Sequence, residues 1–225
     1  MKGLLIKDFK VLGKQKKFLI IVLLLSVFLA FGSDDVGFAG NYVMLIFSTL
    51  TLTTINYDEM NGGMLFLFSL PANRKIYVKE KYTFAFLNLL IPAVLAMGIG
   101  YVEAVVKKVT FSFSDTLSGV MGMLLVVSLM LALAIPLQFK FGAEKGRMIV
   151  TGAMFGVAFV GIAGYKLLID VLHVDLLNSL VDFLSGIESE AVINGIIFGG
   201  LFVLAMLILF CSYLIANKVM KKKEF

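Results

Sequence analysis

Leu117 to Phe139 reads LSGVMGMLLVVSLMLALAIPLQF, a stretch without one charged side chain. A bilayer core of about 30 Å takes roughly 20 apolar residues in a helix, because only helices or closed barrels satisfy backbone hydrogen bonds there. The stretch is therefore read as a membrane-spanning helix. Outward from it, five further apolar runs follow the same rule, at about residues 18–32, 41–57, 82–101, 148–169 and 191–217. The first, with Phe18 to Phe31 as its apolar core, is short and borrows length from its amphipathic N-terminal flank. A lysine-rich start before a short apolar run also opens a cleavable signal peptide. Cleavage near Gly32 would leave five spans and put the chain ends on opposite sides, which the distribution of charge opposes.

The whole chain agrees with its runs. Of 225 residues, 60% are hydrophobic and 16% charged, and the mean hydropathy of +0.99 excludes both a water-soluble fold and intrinsic disorder. A single cysteine, Cys211, excludes a disulfide framework and a cysteine-ligated metal cluster. The net charge of +5 would suit nucleic acid if it formed one patch on a folded domain. Instead the basic residues sort by loop: six before the first span, four between the second and third, three between the fourth and fifth, and four after the sixth. Those 17 of 20 mark the cytoplasmic side, since Lys and Arg collect there. The expected fold is an all-α integral membrane protein, one domain over residues 1–225, with six transmembrane helices and both termini cytoplasmic. No nucleic-acid partner is expected.

Three segments lie outside the spans. Residues 1–17, MKGLLIKDFKVLGKQKK, place Lys7, Lys10, Lys14 and Lys17 on one helical face and Leu5, Phe9 and Leu12 on another, a pattern for a helix lying in the inner interface against anionic lipid. The loop over residues 58–81, DEMNGGMLFLFSLPANRKIYVKEK, is too long for a turn, and its Met64–Leu70 run is too short to span. That run is read as a short helix on the membrane face or a plug for a partner's groove, ended by Pro71. The outer loop over residues 170–190 mixes acidic and apolar residues in an amphipathic pattern.

Catalytic chemistry is sparse. No GxxxxGK[ST] phosphate loop occurs, so no nucleotide is expected on this chain by that motif. One histidine, His173, supplies neither a zinc site nor a base for Ser26, Ser48 or Ser128, and no enzyme activity, catalytic residue, metal or cofactor is assigned to the chain. The near absence of charge within the spans weighs against a proton-coupled carrier or a carboxylate-ringed channel. Thr49, Thr53 and Asn56 share one face of the second span. Such a stripe lines a pathway for an amphipathic or lipid-like substrate, or else glues helices and bonds back to its own carbonyls. Gly152 with Gly156 and Gly195 with Gly199 have the GxxxG spacing of close helix packing. Pro92 and Pro136 are expected kinks.

Two inner-loop stretches carry a resemblance. SLPANRKIYVKEKY (Ser69 to Tyr82), preceded by Tyr57-Asp58-Glu59, and PLQFKFGAEKGRMI (Pro136 to Ile149) are similar to signatures of bacterial ABC type-2 permeases. The branch resembled is the permease subunits of phenol-soluble modulin and antimicrobial-peptide exporters. The resemblance implies a permease without its own ATPase, paired with a cytosolic ABC ATPase that carries ATP and Mg, and with a second permease copy or paralogue. It implies a coupling helix in the 58–81 loop that seats in the ATPase. By the same likeness Asp58, Glu59, Arg74, Lys75 and Tyr77, with Phe139, Lys140, Glu144, Lys145 and Arg147 in the second inner loop, lie in or beside that contact. Thr49, Thr53 and Asn56 would then face the cargo, for which an amphipathic peptide is favoured. A membrane immunity or sensor protein that sequesters toxic peptides without transporting them is the alternative.

Overall fold

The computed structural model describes the backbone of residues 2–33, 35–60, 63–69, 73–166 and 190–223, and the side chains of these except 65, 68, 143, 144, 147, 157–166, 190 and 191. Every described element is an α-helix: α1 (Lys2–Lys14), α2 (Lys16–Gly32), α3 (Phe38–Glu59), α4 (Gly63–Ser69), α5 (Arg74–Lys107), α6 (Phe113–Lys166) and α7 (Glu190–Lys222). The expected outer segment at 170–190 and His173 fall outside the described residues, apart from Glu190 at the start of α7.

Four helical stretches are long and apolar enough to cross a membrane: Phe38–Glu59, Arg74–Lys107, Phe113–Gly142 and Val192–Lys222. They contain the expected second, third, fourth and sixth spans. The first expected span falls in α2, whose 17 residues make a crossing only together with α1, and the two are bent by 63°. The fifth expected span begins in the helix after Gly142 and runs beyond the described residues. Among the described residues there are thus four spans, or five with the bent pair, of the six expected.

The bundle is built by α3, α5, α6 and α7, with α6 against α7, and α3 against both α5 and α6. Its core runs from Ala96 and Val120 through Leu89, Leu124 and Leu131 to Tyr77 and Phe139. α3 and α5 come closest at Gly40, where an added Cβ would lie 2.7 Å from the Ala96 carbonyl oxygen. At the expected GxxxG pairs, a Cβ on Gly152, Gly156, Gly195 or Gly199 would meet nothing within 4 Å among the described residues. α5 and α6 both run on through Pro92 and Pro136. The break in α6 comes at Gly142, whose φ of 80° and ψ of 175° suit a residue without Cβ.

α2 packs on α3 and buries only Val22 and Ser26. Phe28 and Phe31, at 72% and 71% exposure, present an apolar surface suited to lipid or another membrane helix rather than water.

Candidate functional site

Hydrogen bonds bring both ends of the chain to one end of the bundle. Lys7 in α1 donates to Asp58 at the end of α3, and Arg74 at the start of α5 donates to the carbonyls of Met220, Lys221 and Lys223 around the end of α7. This is the basic end. The last carbonyls of any helix lack intrahelical partners, and a planar guanidinium with several donors is well suited to collect them.

The centre of the basic end is a buried ion network. Lys81, fully buried on α5, places Nζ 2.5 Å from Asp8 Oδ2 and 2.8 Å from Asp58 Oδ2, and donates to Thr54 Oγ1 at 3.3 Å. Tyr77 donates its hydroxyl to Asp58 Oδ2 at 3.1 Å and lies 5.4 Å below the Lys81 ammonium. Lys7 bonds Asp58 and stands 3.3 Å from Asp8 Oδ1. Burial disfavours the Lys7 ammonium, but the hydrogen bond and charge of Asp58, with Asp8 beside them, hold its pKa above the ordinary value. α1, α3 and α5 are thus joined by charge as well as by apolar contacts such as the Phe9–Phe84 ring pair at 5.4 Å. Removing one partner from a buried pair of this kind costs about 3–5 kcal/mol, since the other charge stays buried without compensation.

Glu80 sits next to Lys81, also fully buried, with Nζ of Lys81 3.9 Å from Oε2. Neither of its oxygens receives a hydrogen bond, and neither does Oδ1 of Asp8. Three carboxyl groups, on Asp8, Asp58 and Glu80, therefore share this space with the two ammonium groups of Lys7 and Lys81.

In front of the network lies α4, the Met64–Leu70 run foreseen as a short helix. Met64 and Leu67 turn inward at i and i+3 and join the buried cluster that holds Tyr77 and Phe139, while Phe66 is 70% exposed. Behind it the Tyr77 and Phe139 rings pack at 5.8 Å, linking the two sequence motifs directly. Glu59 accepts from Lys223 at 2.7 Å, and the kink glycine Gly142 comes close enough that a Cβ there would lie 3.4 Å from Glu59 Oε2.

The residues of the two motifs therefore separate into two groups. Asp58, Tyr77 and Phe139 are buried, and Glu59 and Arg74 are bonded to the end of α7. Lys75, Lys140 and Lys145 are exposed, while the side chains of Glu144 and Arg147 lie outside the described ones. Sequence reasoning missed Asp8 and Lys81: one acid in a basic segment and one lysine among many carry no periodic signal. A retrospective signal exists, since Asp8 is the sole acid in residues 1–17 and lies on the buried side of α1.

The Thr49, Thr53 and Asn56 stripe is half-buried. Thr49 and Thr53 donate to the carbonyls of Ile46 and Thr49 at 2.7 and 3.1 Å, and Ser48 and Thr54 do the same on their own turns. Thr51 instead accepts from Asn88 of α5 at 3.1 Å, an interhelical tie. Oδ1 of Asn56 is buried and receives no hydrogen bond.

Membrane-length helices packed side by side, with a short amphipathic helix seated at one end, are the architecture of a multi-pass membrane protein. The kind is given by family: residues 3–221 match the model described as ABC-2 family transporter protein, and the chain belongs to that family. It is accordingly a membrane component of an ABC transporter, in which the ATP-binding subunit is a separate partner. Comparison with curated proteins and with solved structures found no match.

Proposed function

We propose that this chain is the permease subunit of an ATP-driven exporter of amphipathic, modulin-like or antimicrobial peptides in a bacterial cell membrane. The basic end, with both termini, faces the cytosol, where α4 is the coupling helix. The observation that carries this reading is the two-sided character of α4: Met64 and Leu67 are anchored in the core while Phe66 points out. An element so held transmits an outside push to the helices behind it. Asp58, Tyr77 and Phe139 then act from behind, stiffening the seat of α4, whereas Phe66, Lys75 and Lys145 supply the surface that meets the ATPase, with Lys140 beside that contact rather than in it. ATP and Mg bind the partner subunit. Closure of the paired ATPases rocks α3 and α5 through α4 and the ion network, and two permease chains open a pathway between them.

An amphipathic peptide fits a chain whose half-buried stripe of Thr49, Thr53 and Asn56 carries polar groups, including a buried amide oxygen without a hydrogen bond, but no charge. The test is co-purification from detergent followed by transport of labelled amphipathic peptides into inverted vesicles. The expected result is an associated ATP-binding subunit and ATP-dependent uptake, both lost in Phe66→Asp with the thermal midpoint unchanged. Absence of any ATP-binding subunit, or uptake that ignores ATP, would sink the reading and favour peptide sequestration.

A further inference from the structure

At the basic end a groove of about 400 Å³ runs between α6 and α7, lined by Lys140, Lys218, Val219, Lys222 and Lys223. Lys223 is engaged by Glu59. Among the described residues Lys140, Lys218 and Lys222 form no ion pair and no hydrogen bond, and the ammonium of Lys140 rests over the Phe141 ring at 4.9 Å. The last carbonyls of α7, which would otherwise attract nearby lysines, are taken by Arg74. Three like charges around one groove repel each other and concentrate a positive potential in it. The missing complement is an anion.

The groove also continues an apolar surface. Lys218 and Lys222 follow Leu214 at i+4 and i+8, on the helical face that carries Leu207, and these two leucines are 46% and 55% exposed, with Ile215 beside them at 54%. A soluble acidic protein would satisfy the lysines and leave that strip bare. A molecule with an anionic head and long apolar tails covers both. Basic pockets between membrane helices on the cytoplasmic side hold anionic headgroups for this reason.

We propose that the Lys140–Lys218–Lys222 groove binds the phosphodiester headgroup of an anionic phospholipid, whose acyl chains lie along the exposed Leu207–Leu214 face of α7.

Native mass spectrometry of the full chain in nanodiscs of phosphatidylglycerol or phosphatidylcholine tests it. Retention of phosphatidylglycerol over phosphatidylcholine is expected, weakened on the order of a hundredfold in K140Q/K218Q/K222Q and about fivefold in each single variant. Removal of three exposed lysines from the same end but outside the groove, K75Q/K79Q/K145Q, leaves retention as it was. Thermal midpoints in phosphatidylcholine alone control for folding, and K140R/K218R/K222R, which keeps the charge, retains the lipid. Equal retention of both lipids, or equal weakening in the two triple variants, overturns the proposal in favour of diffuse charge. Tight binding of inorganic phosphate overturns the role of the tails. Unchanged lipid retention with loss of the ATP-binding subunit would make the groove a protein contact instead.

Discussion

The two ends of the bundle are held by different means. At the basic end, α1, α3 and α5 meet through side chains that bond to one another: Lys81 joins Asp8 to Asp58, and Lys7 and Tyr77 close on the same Asp58. At the opposite end, side chains reach mainly backbone. Glu103 accepts from the Gly37 N–H at 2.5 Å, Lys107 donates to the carbonyls of Ser33 and Asp35 at 2.8 and 3.3 Å, and Asn194 donates to Ser114 at 3.0 Å. Contacts to backbone fasten a single turn. A shared ionic centre couples whole helices, because displacing any one of them strands a buried charge. Among the described residues, the shared ionic centre thus lies at the end that carries α4.

Breaking the basic end should have the largest effect. Lys81→Met leaves Asp8 and Asp58 with their principal cation removed, and a loss of about 3–5 kcal/mol is expected, seen as a sharp fall in the thermal midpoint or in the yield of folded protein. Towards the opposite end, stability rests on close packing. Gly40→Ala forces a methyl against the Ala96 carbonyl and is expected to cost about 1–3 kcal/mol in the same assay. Glu103→Gln sharpens the contrast further. It keeps an acceptor for the Gly37 N–H and removes a charge whose Oε1 receives no hydrogen bond, so a change of about 1 kcal/mol or less is expected. A Glu103 effect as large as that of Lys81 would erase the distinction.

The smallest effect is a pH dependence at Lys7. Its pKa is raised in the folded state, so its contribution is fully present below the ordinary lysine value of about 10.4 and is lost as pH rises through the folded value. The stability difference between the wild type and Lys7→Met is therefore expected to stay flat from neutral pH to about pH 9 and to shrink only above about pH 10.5. Shrinkage near neutrality would contradict the pairing with Asp58.

Much of the fold was legible because the bilayer reads composition directly: an uncharged run such as Leu117–Phe139 admits one structure. Boundaries were less legible. α5 starts at Arg74, eight residues before the apolar run, since charged residues extend a helix into polar surroundings without altering mean hydropathy in the span. The short helix at Met64–Leu70 was legible from its length, and α4 is described over Gly63–Ser69. The ion network was not, because Asp8, Asp58 and Lys81 lie 50 and 23 residues apart along the chain and only the tertiary fold makes them neighbours. Periodicity puts Lys7, Lys10, Lys14 and Lys17 on one lipid-facing face, whereas Lys7 turns inward to Asp58 while Lys10, Lys14 and Lys17 stay exposed.

The central claim is that α4 at the basic end receives the ATP-binding subunit. The chain has one cysteine, Cys211, so a Cys211→Ser background allows a single cysteine at Phe66 on α4 or, as a control, at Phe113, 62% exposed at the start of α6 on the opposite end. Each variant is treated with a short thiol-to-amine cross-linker in native membranes, and the products are identified by mass spectrometry. Phe66→Cys is predicted to join the ATP-binding subunit and Phe113→Cys to leave it free. Cross-linking from position 113 with none from position 66 would contradict the account.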